Sequence, residues 1–321
     1  MNKTTPNLAA ICCGALLLFA ACKKDPAKKT TCTSTLYGNT MPTAIMYDTA
    51  GSVSFGPINA TSAVLTPAGS FNSTVYTNQS AFNTTDNCYY AFRIVMGSSV
   101  SASPLYKITS GGAVTALAQV GTDKYSSLTY NRVSNKLYCV KNGALAEVTP
   151  GTTTFSATTL VTPVHPFIGY SWDFVGSPTV DNNTGAMYYV TGDTSTYYIE
   201  KYLPGGTVST VVASGTGAWW ILGLRFNKND NTLYAIRQNH PSISYDFIKI
   251  NPSSGAITTI GSLGFDVNPE FYSATIDPCT NRYIVSTPVT SGFVLKQLDM
   301  SGTIVQTNSI PTLYQGLDVA Y

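Results

Sequence analysis

Residues 131–138 read NRVSNKLY and residues 227–234 read NKNDNTLY. The shared pattern is Asn or Asp, three residues, Asn or Gly, one residue, an apolar or aromatic residue, then Tyr. It returns as NTTDNCYY (83–90) and DNNTGAMY (181–188), and as DPCTNRYI (277–284) with Ile284 in the Tyr place. The copies start 48, 50, 46 and 50 residues apart. A short strand-like run precedes each one: QSAF, SSLT, SPTV, GLRF and SATI. Each copy therefore reads as strand, tight polar turn, strand. Asn and Asp tolerate turn conformations and bond their own backbone, while the apolar residue and Tyr alternate into the next strand.

A second pattern follows each copy: an apolar run, a turn containing Gly, and another β-rich run. Its copies are LYKITSGGAVTAL (105–117), LAEVTPGTTTFSA (145–157), IEKYLPGGTVSTV (199–211), FIKINPSSGAITTI (247–260) and VLKQLDMSGTIVQT (294–307). Two hairpins make a four-stranded meander of roughly 48 residues, the size of a propeller blade.

The ends of the chain complement each other. AIMYDTAGSVSFG (44–56) reads as a sixth second hairpin, with LYGNT (36–40) as the strand before it. The chain ends in GLDVAY (316–321), which aligns with GLRFN (223–227) and is a first strand without a hairpin of its own. Joining the two ends removes the open sheet edges. The expected fold is thus all-β: a six-bladed β-propeller of four-stranded antiparallel blades over residues 32–321, closed by the C-terminal strand. A β-sandwich is the competing reading, and it leaves both the register of the hairpins and the matching ends unexplained. Residues 32–321 resemble the general propeller class of NHL, YWTD and TolB-like repeats, without the signature runs of those subfamilies. Such a likeness implies a fold and leaves function to be argued from a site.

Composition agrees. The chain has 321 residues, with 21 Tyr, 26 Gly and 17 Pro, and only 11% charged residues, against roughly 25% in typical soluble proteins. That excludes a coiled coil and a charged disordered chain. A formal net charge of +2 gives no reason to expect a nucleic-acid partner.

Residues 1–21 read as a signal peptide. Lys3 gives a positive start, and Leu8 to Ala21 is an apolar or small run of 14 residues, too short for a stable membrane span. Ala20 and Ala21 precede Cys22. This resembles a bacterial lipoprotein lipobox, although Phe19 departs from the commoner Leu; the resemblance implies that Cys22 is acylated and becomes the mature N-terminus. Residues 22–31, with four Lys and Pro26, read as a flexible tether. The Cys-Lys-Lys-Asp start resembles Bacteroidota-type lipoproteins, which implies outer-membrane anchoring, periplasmic or surface facing, with the membrane as a partner. Without Lys3, Lys23, Lys24, Lys28, Lys29 and Asp25, the remainder holds 13 basic and 15 acidic residues. The basic excess belongs to the leader.

By analogy with other propellers, a ligand face is expected in the loops entering each first strand and those joining second to third strands. These loops hold His165, Tyr170, Trp172 and Asp173; Trp219 and Trp220; Arg237 and His240; and Asp266, Glu270 and Tyr272. All three Trp and both His fall in this set. Trp and Tyr suit the flat face of a sugar or an apolar partner surface. The competing reading is packing, because Trp is mostly buried in folded proteins. There is no zinc signature, nucleophile elbow or P-loop. No cofactor is expected; calcium is the one the turns DNNTG and NKNDN leave open, and their recurrence points to turn chemistry instead. Of the cysteines, Cys32 and Cys279 are expected near the closure, where a disulfide between them, or from Cys32 to Cys88, would staple the ring. Cys139 reads as a small buried residue. The functional expectation is a non-catalytic module that binds a glycan, a peptide or an envelope protein. The alternative is a propeller enzyme, a hydrolase, lactonase or lyase acting on a carbohydrate-like substrate, and a scaffold without a small ligand is the third reading.

Overall fold

The repeated turns organise the strands. In each copy the first side chain accepts the N–H two residues on: Thr85 to Asn83, Val133 to Asn131, Asn183 to Asp181, Asn229 to Asn227 and Cys279 to Asp277, at 2.8–3.1 Å. The fifth residue is left-handed, with φ of 54° at Asn87, 57° at Asn135, 79° at Gly185, and 55° at Asn231 and Asn281. Gly and Asn adopt that conformation with least penalty, which is why the fifth place is Asn or Gly. The Tyr in the eighth place reaches back over the turn. Tyr90 donates to Asp86 Oδ2 at 2.5 Å, Tyr234 to Asp230 Oδ2 at 2.6 Å, and Tyr138 Oη lies 3.0 Å from Ser134 Oγ.

The computed structural model describes residues 32–40, 51–73, 80–92, 104–167, 178–192, 195–239, 241–242, 244–264 and 273–321. The leader, Cys22 and the tether through Thr31 lie outside the described residues. The strands fall within one compact unit, Thr33–Tyr321. They are β1 (Thr35–Thr40), β2 (Gly51–Ile58) and β3 (Gly69–Ser73); then β4 (Ser80–Asn83), β5 (Cys88–Phe92), β6 (Leu105–Thr109) and β7 (Val114–Gln119). Next come β8 (Tyr125–Asn131), β9 (Lys136–Lys141), β10 (Ala144–Pro150) and β11 (Thr154–Val161), and β12 (Thr179–Val180), β13 (Met187–Gly192), β14 (Thr196–Tyr202) and β15 (Ser209–Thr216). The last are β16 (Ala218–Asn227), β17 (Thr232–Asn239), β18 (Tyr245–Ile250) and β19 (Ile257–Leu263), β20 (Ser273–Asp277), β21 (Arg282–Val289), β22 (Gly292–Asp299) and β23 (Ile304–Ile310), and β24 (Tyr314–Ala320).

The architecture is all-β and propeller-like, with four-stranded antiparallel blades. The strands β12–β15, β16–β19 and β20–β23 form one sheet each, and β24 joins β1–β3 as the first strand of a fourth. Thr35 pairs with Ala320 and Tyr37 with Asp318 across that closure. Two corrections to the sequence reading follow. First, β4–β11 make one eight-stranded sheet in the order β4-β5-β6-β7-β11-β10-β9-β8, not two separate blades. The cause is a short parallel pairing of the outer strands, Ala118 with Thr154 and Gln119 with Phe155. Open edges of this kind pair readily. Second, the hairpin expected at 44–56 is displaced: residues 44–50 lie outside the described residues, and the described part, 51–56, belongs to a single strand. Gly51–Ile58 is one third strand, and its partner is Gly69–Ser73. Between them Asn59 Oδ1 accepts the N–H groups of Thr61 and Ser62 at 2.9 Å, so an Asx turn there reverses the chain from β2 to β3.

The strands β24, β4, β8, β12, β16 and β20 touch in turn around a closed cycle. The buried hydrophobic clusters combine residues of these first strands with residues of the following strands of each sheet. Two inner strands carry a bulge glycine whose carbonyl takes a hydroxyl from the next sheet. Tyr89 donates to Gly316 O at 2.6 Å and Tyr283 to Gly223 O at 2.7 Å. Gly316 has φ 56° and Gly223 φ 58°, and a Cβ at either would collide with that tyrosine hydroxyl. Both the conformation and the close approach require glycine here.

Candidate functional site

The loop residues expected from the sequence divide into two groups. Tyr170, Trp172, Asp173, His240, Asp266, Glu270 and Tyr272 lie outside the described residues. The others are His165, Trp219, Trp220 and Arg237. The ring of His165 stacks on Tyr198 at 3.5 Å between centroids, and its Nδ1 is 3.3 Å from Glu200 Oε1. Glu200 is fully buried (0% exposed). Its oxygens also accept the N–H groups of Val164 and His165 at 2.8 and 2.9 Å, and the hydroxyls of Thr191 and Ser209 at 2.7 and 2.6 Å. Burial pushes the Glu200 carboxyl up, but the hydrogen bonds from Ser209, Thr191, His165 and Val164 outweigh it and hold the pKa below the ordinary value. Glu200 thus ties the start of the long loop to its own blade.

The expected loop positions of Trp219, Trp220 and Arg237 are corrected. Trp219 and Trp220 are in β16, and Arg237 is in β17. Trp220 packs partly buried against the largest hydrophobic cluster. Arg237 sits opposite Asp246 across β17 and β18 and holds it at 2.8 Å, with Thr259 Oγ1 at 3.0 Å. The hairpin ladder runs further than the polar sequence QNHPSISYD suggests, because Gln238 and Tyr245 still pair. Cys32 and Cys279 are each disulfide-bonded, while Cys88 and Cys139 are free and buried. Among the described residues, no group of three or more His, Cys, Asp or Glu could hold a metal ion.

A different cluster forms inside the cycle of first strands. There, at the end carrying the first-to-second strand turns, lies a cavity of about 90 Å³. Arg132, Asn182, Arg225, Lys228, Asp318 and Tyr321 line it. Strand alternation supplies two layers. Two residues before the repeat starts stand Ala81, Thr129, Thr179, Arg225, Thr275 and Asp318, and all but Ala81 are on the cavity wall. Several of these side chains also staple neighbouring first strands. Phe82 N–H donates to Asp318 Oδ2 at 2.6 Å, Phe226 N–H to Thr179 Oγ1 at 2.9 Å, and Arg225 Nε to Ala274 O at 2.8 Å. One residue after the repeat starts stand Thr84, Arg132, Asn182, Lys228, Pro278 and Tyr321, and all but Thr84 are at the mouth.

The electrostatics of the cavity are uneven. Among the described lining residues, three side chains are cationic and one is a carboxylate. Arg225 has Nε and Nη1 engaged with main-chain oxygens, and burial lowers its pKa. Asp318 accepts from two main-chain N–H groups, Phe82 and Val319. Burial raises its pKa, against the lowering effect of those hydrogen bonds and of Arg132 and Arg225. At the mouth, the Tyr321 ring takes the Arg132 guanidinium at 3.7 Å and the Lys228 ammonium at 4.0 Å from its centroid. Arg132 also donates to the main-chain oxygens of Tyr321 and Val319, at 2.9 and 2.7 Å. Lys228 is held below its ordinary pKa by burial and then by the charge of Arg132. Asn182 Nδ2 donates to Tyr321 Oη at 2.9 Å, and its Oδ1 is buried without a partner. These residues were absent from the sequence expectation. For Arg132, Asn182, Lys228 and Tyr321 the signal was the second place of the turn motif, where T, R, N, K, P and Y vary while the flanking turn residues repeat.

The fold and cavity define a β-propeller with a polar, cation-rich axial site. No protein-family model matches the chain. No curated protein matches it. Solved structures do. TolB from Acinetobacter baumannii aligns with a TM-score of 0.64 and 8% identity, over 89% of this chain and 66% of its own. The periplasmic gluconolactonase of Pseudomonas aeruginosa aligns at 0.55 and 9% identity, over 89% of this chain and 99% of that one. A putative 6-phosphogluconolactonase from Bacteroides fragilis aligns at 0.56 and 11% identity, over 92% and 100%. At such identities the likeness carries the fold. Among the described residues, no helix is long and apolar enough to cross a membrane.

Proposed function

We propose that this chain is an envelope lipoprotein, acylated at Cys22, whose six-bladed propeller binds a small polar ligand in the axial cavity. The six-blade reading counts the eight-stranded sheet as two blades joined at β7 and β11, in keeping with the closed cycle of first strands. The observation that carries the binding reading is the convergence of Arg132, Asn182, Lys228 and Tyr321 on one cavity mouth. Binding is favoured over hydrolysis by the state of Asp318. Among the described residues it is the sole carboxylate side chain on the wall, and main-chain donors occupy both of its oxygens, so it is poorly placed to act as a general base. The envelope address rests on the Ala20-Ala21-Cys22 motif and the Lys-rich tether. The aromatic loops remain a proposed second surface for a glycan or an envelope protein.

The test uses the purified full chain and a panel of soluble sugars, polyols, organic acids and lactones, read by thermal unfolding. A ligand of the cavity should raise the midpoint in the wild type and not in Asn182→Trp, which fills the mouth. A shift that persists in Asn182→Trp would place the ligand elsewhere. The second reading, a lactonase, is favoured by the likeness to the two lactonase structures. Acid release from a lactone above the spontaneous rate, abolished by Asn182→Trp, would decide for it. Intact mass of the membrane-extracted protein tests the anchor: loss of residues 1–21 and a mass increment of acyl chains are expected.

A further inference from the structure

We propose that the axial cavity is built for a small hydroxy acid, whose carboxylate meets Lys228 and whose hydroxyl donates to Asn182 Oδ1. This rests on the cavity reading above and narrows it to one ligand class.

Three observations lead there. The first is charge. Arg132 and Lys228 approach the same Tyr321 ring, and the carboxylate on the wall, Asp318, already has both oxygens engaged. Positive charge is in excess at the mouth, and an anion beside Lys228 offsets it. Arg132 uses two of its guanidinium nitrogens on main-chain oxygens and keeps a donor in reserve. The Lys228 ammonium has three donors, and the ring face accepts none of them as a conventional hydrogen bond.

The second observation is the orphaned Asn182 Oδ1. It is a buried acceptor on the cavity wall, with its amide fixed by the Nδ2 bond to Tyr321. A buried acceptor calls for a donor, which a simple carboxylate or inorganic anion lacks and a hydroxyl supplies. The third observation is size. A cavity of about 90 Å³, at roughly 10–15 Å³ per water on this measure, holds about six to nine waters. That suits an acid of three or four carbons. The threonines at positions 129, 179 and 275 add hydroxyls to an inner wall whose charged members, Arg225 and Asp318, are engaged with main-chain groups, and this lining accommodates further hydroxyls.

The experiment compares three probes of nearly equal size by calorimetric titration of the purified full chain: glycerate, glycerol and propionate. Glycerol removes the charge, and propionate removes the hydroxyls. Glycerate should bind at least tenfold tighter than either. Lys228→Met should weaken glycerate roughly ten- to hundred-fold, the range for a lost charge-assisted hydrogen bond, and Lys228→Arg should restore most of it. Affinity for glycerate should fall as NaCl rises, and that for glycerol should not. Lys228 lies on a turn and is partly exposed, so its substitution leaves the fold intact; an unchanged unfolding midpoint without ligand checks this. Equal binding of glycerol and glycerate, or a Lys228→Met variant with full glycerate affinity, overturns the assignment. A neutral ligand that binds the wild type, fails on Asn182→Trp and outcompetes glycerate overturns the hydroxy acid while leaving the cavity reading in place. Glycerate binding that survives Asn182→Trp overturns both.

Discussion

Glu200→Gln is expected to loosen the long loop that begins at Thr162, and its cost follows from the geometry. The carboxylate collects two main-chain N–H groups and two hydroxyls, with one of each on either oxygen. A glutamine keeps the shape but offers a single oxygen. Whichever way its amide turns, the NH2 faces a main-chain donor, His165 N–H on one side or Val164 N–H on the other. The hydroxyls of Thr191 and Ser209 can rotate to accept, but the N–H cannot. One buried donor is left unpartnered, at about 1–3 kcal/mol, and the remaining bonds lose their charge assistance. The sum is about 2–4 kcal/mol. At roughly 2–4 °C per kcal/mol for a large domain, the midpoint should fall by about 4–16 °C. Amide hydrogen exchange should accelerate at Val164 or His165. The pH dependence has a definite sign. The folded carboxyl lies below its ordinary value of 4.5, so its stabilisation is present above that value and is lost as pH falls through the folded one. The gap between wild type and Glu200→Gln should therefore narrow on acidification below about pH 4.5. A variant within about 0.5 kcal/mol of wild type at pH 7, a difference typical of a neutral surface change, with unchanged exchange at both amides, would refute the latch.

Other expectations are simpler. Asn231→Ala should cost about 1–2 kcal/mol in urea unfolding, because φ is 55° there; Asn231→Gly should cost little, and equal effects would sink the conformational argument. Gly316→Ala should cost more than about 3 kcal/mol, since its Cβ would meet Ser80 Oγ, Tyr89 Oη and, at 2.9 Å, Asn39 Nδ2; a wild-type midpoint would contradict the close approach. Thiol counting on unfolded, unreduced protein should find Cys88 and Cys139 free and Cys32 and Cys279 bonded. Peptide mapping should recover the latter two in one linked pair, as we propose, and four free thiols would rule that out. In the folded protein Cys139 should resist alkylation, because burial pushes its thiol pKa far up.

The repeat made the blades legible because each turn is decided locally. The first Asn or Asp, the left-handed fifth residue and the tyrosine of the eighth place satisfy one another within eight residues. The parallel contact of β7 with β11 was not legible, since it depends on two outer edges meeting in space. The length of β2 was obscured for a related reason: Gly51 looks like a turn glycine, and only its pairing with β3 makes it strand. The stretch around Arg237 looked like a loop because its residues are polar, yet Arg237 and Asp246 satisfy each other across the ladder.

The cavity illustrates a different limit. Aromatic loops drew attention because Trp and His are rare in this chain, whereas the axial residues are single members of repeats and look unremarkable one at a time. Their meaning comes from subtracting the repeat. In five turns the first and fifth places obey backbone geometry, and so carry no information about a ligand. The second place is free of that constraint, and it holds Thr84, Arg132, Asn182, Lys228 and Pro278, with Tyr321 in the aligned place of the last strand; all but Thr84 line the cavity. The closed cycle of first strands brings those places to one mouth. A residue that departs from its repeat there, and is not required by the turn, is under pressure from something at the axis. The same argument separates Thr129, Thr179 and Thr275, which recur and wall the cavity, from Arg225 and Asp318, which depart from the pattern and bond the main chain of their neighbours. The departures in the inner layer are thus accounted for by stapling. At the mouth Arg132 and Asn182 have partners of their own, whereas Lys228 is met by an aromatic ring, and it is this remainder that the proposed ligand would explain.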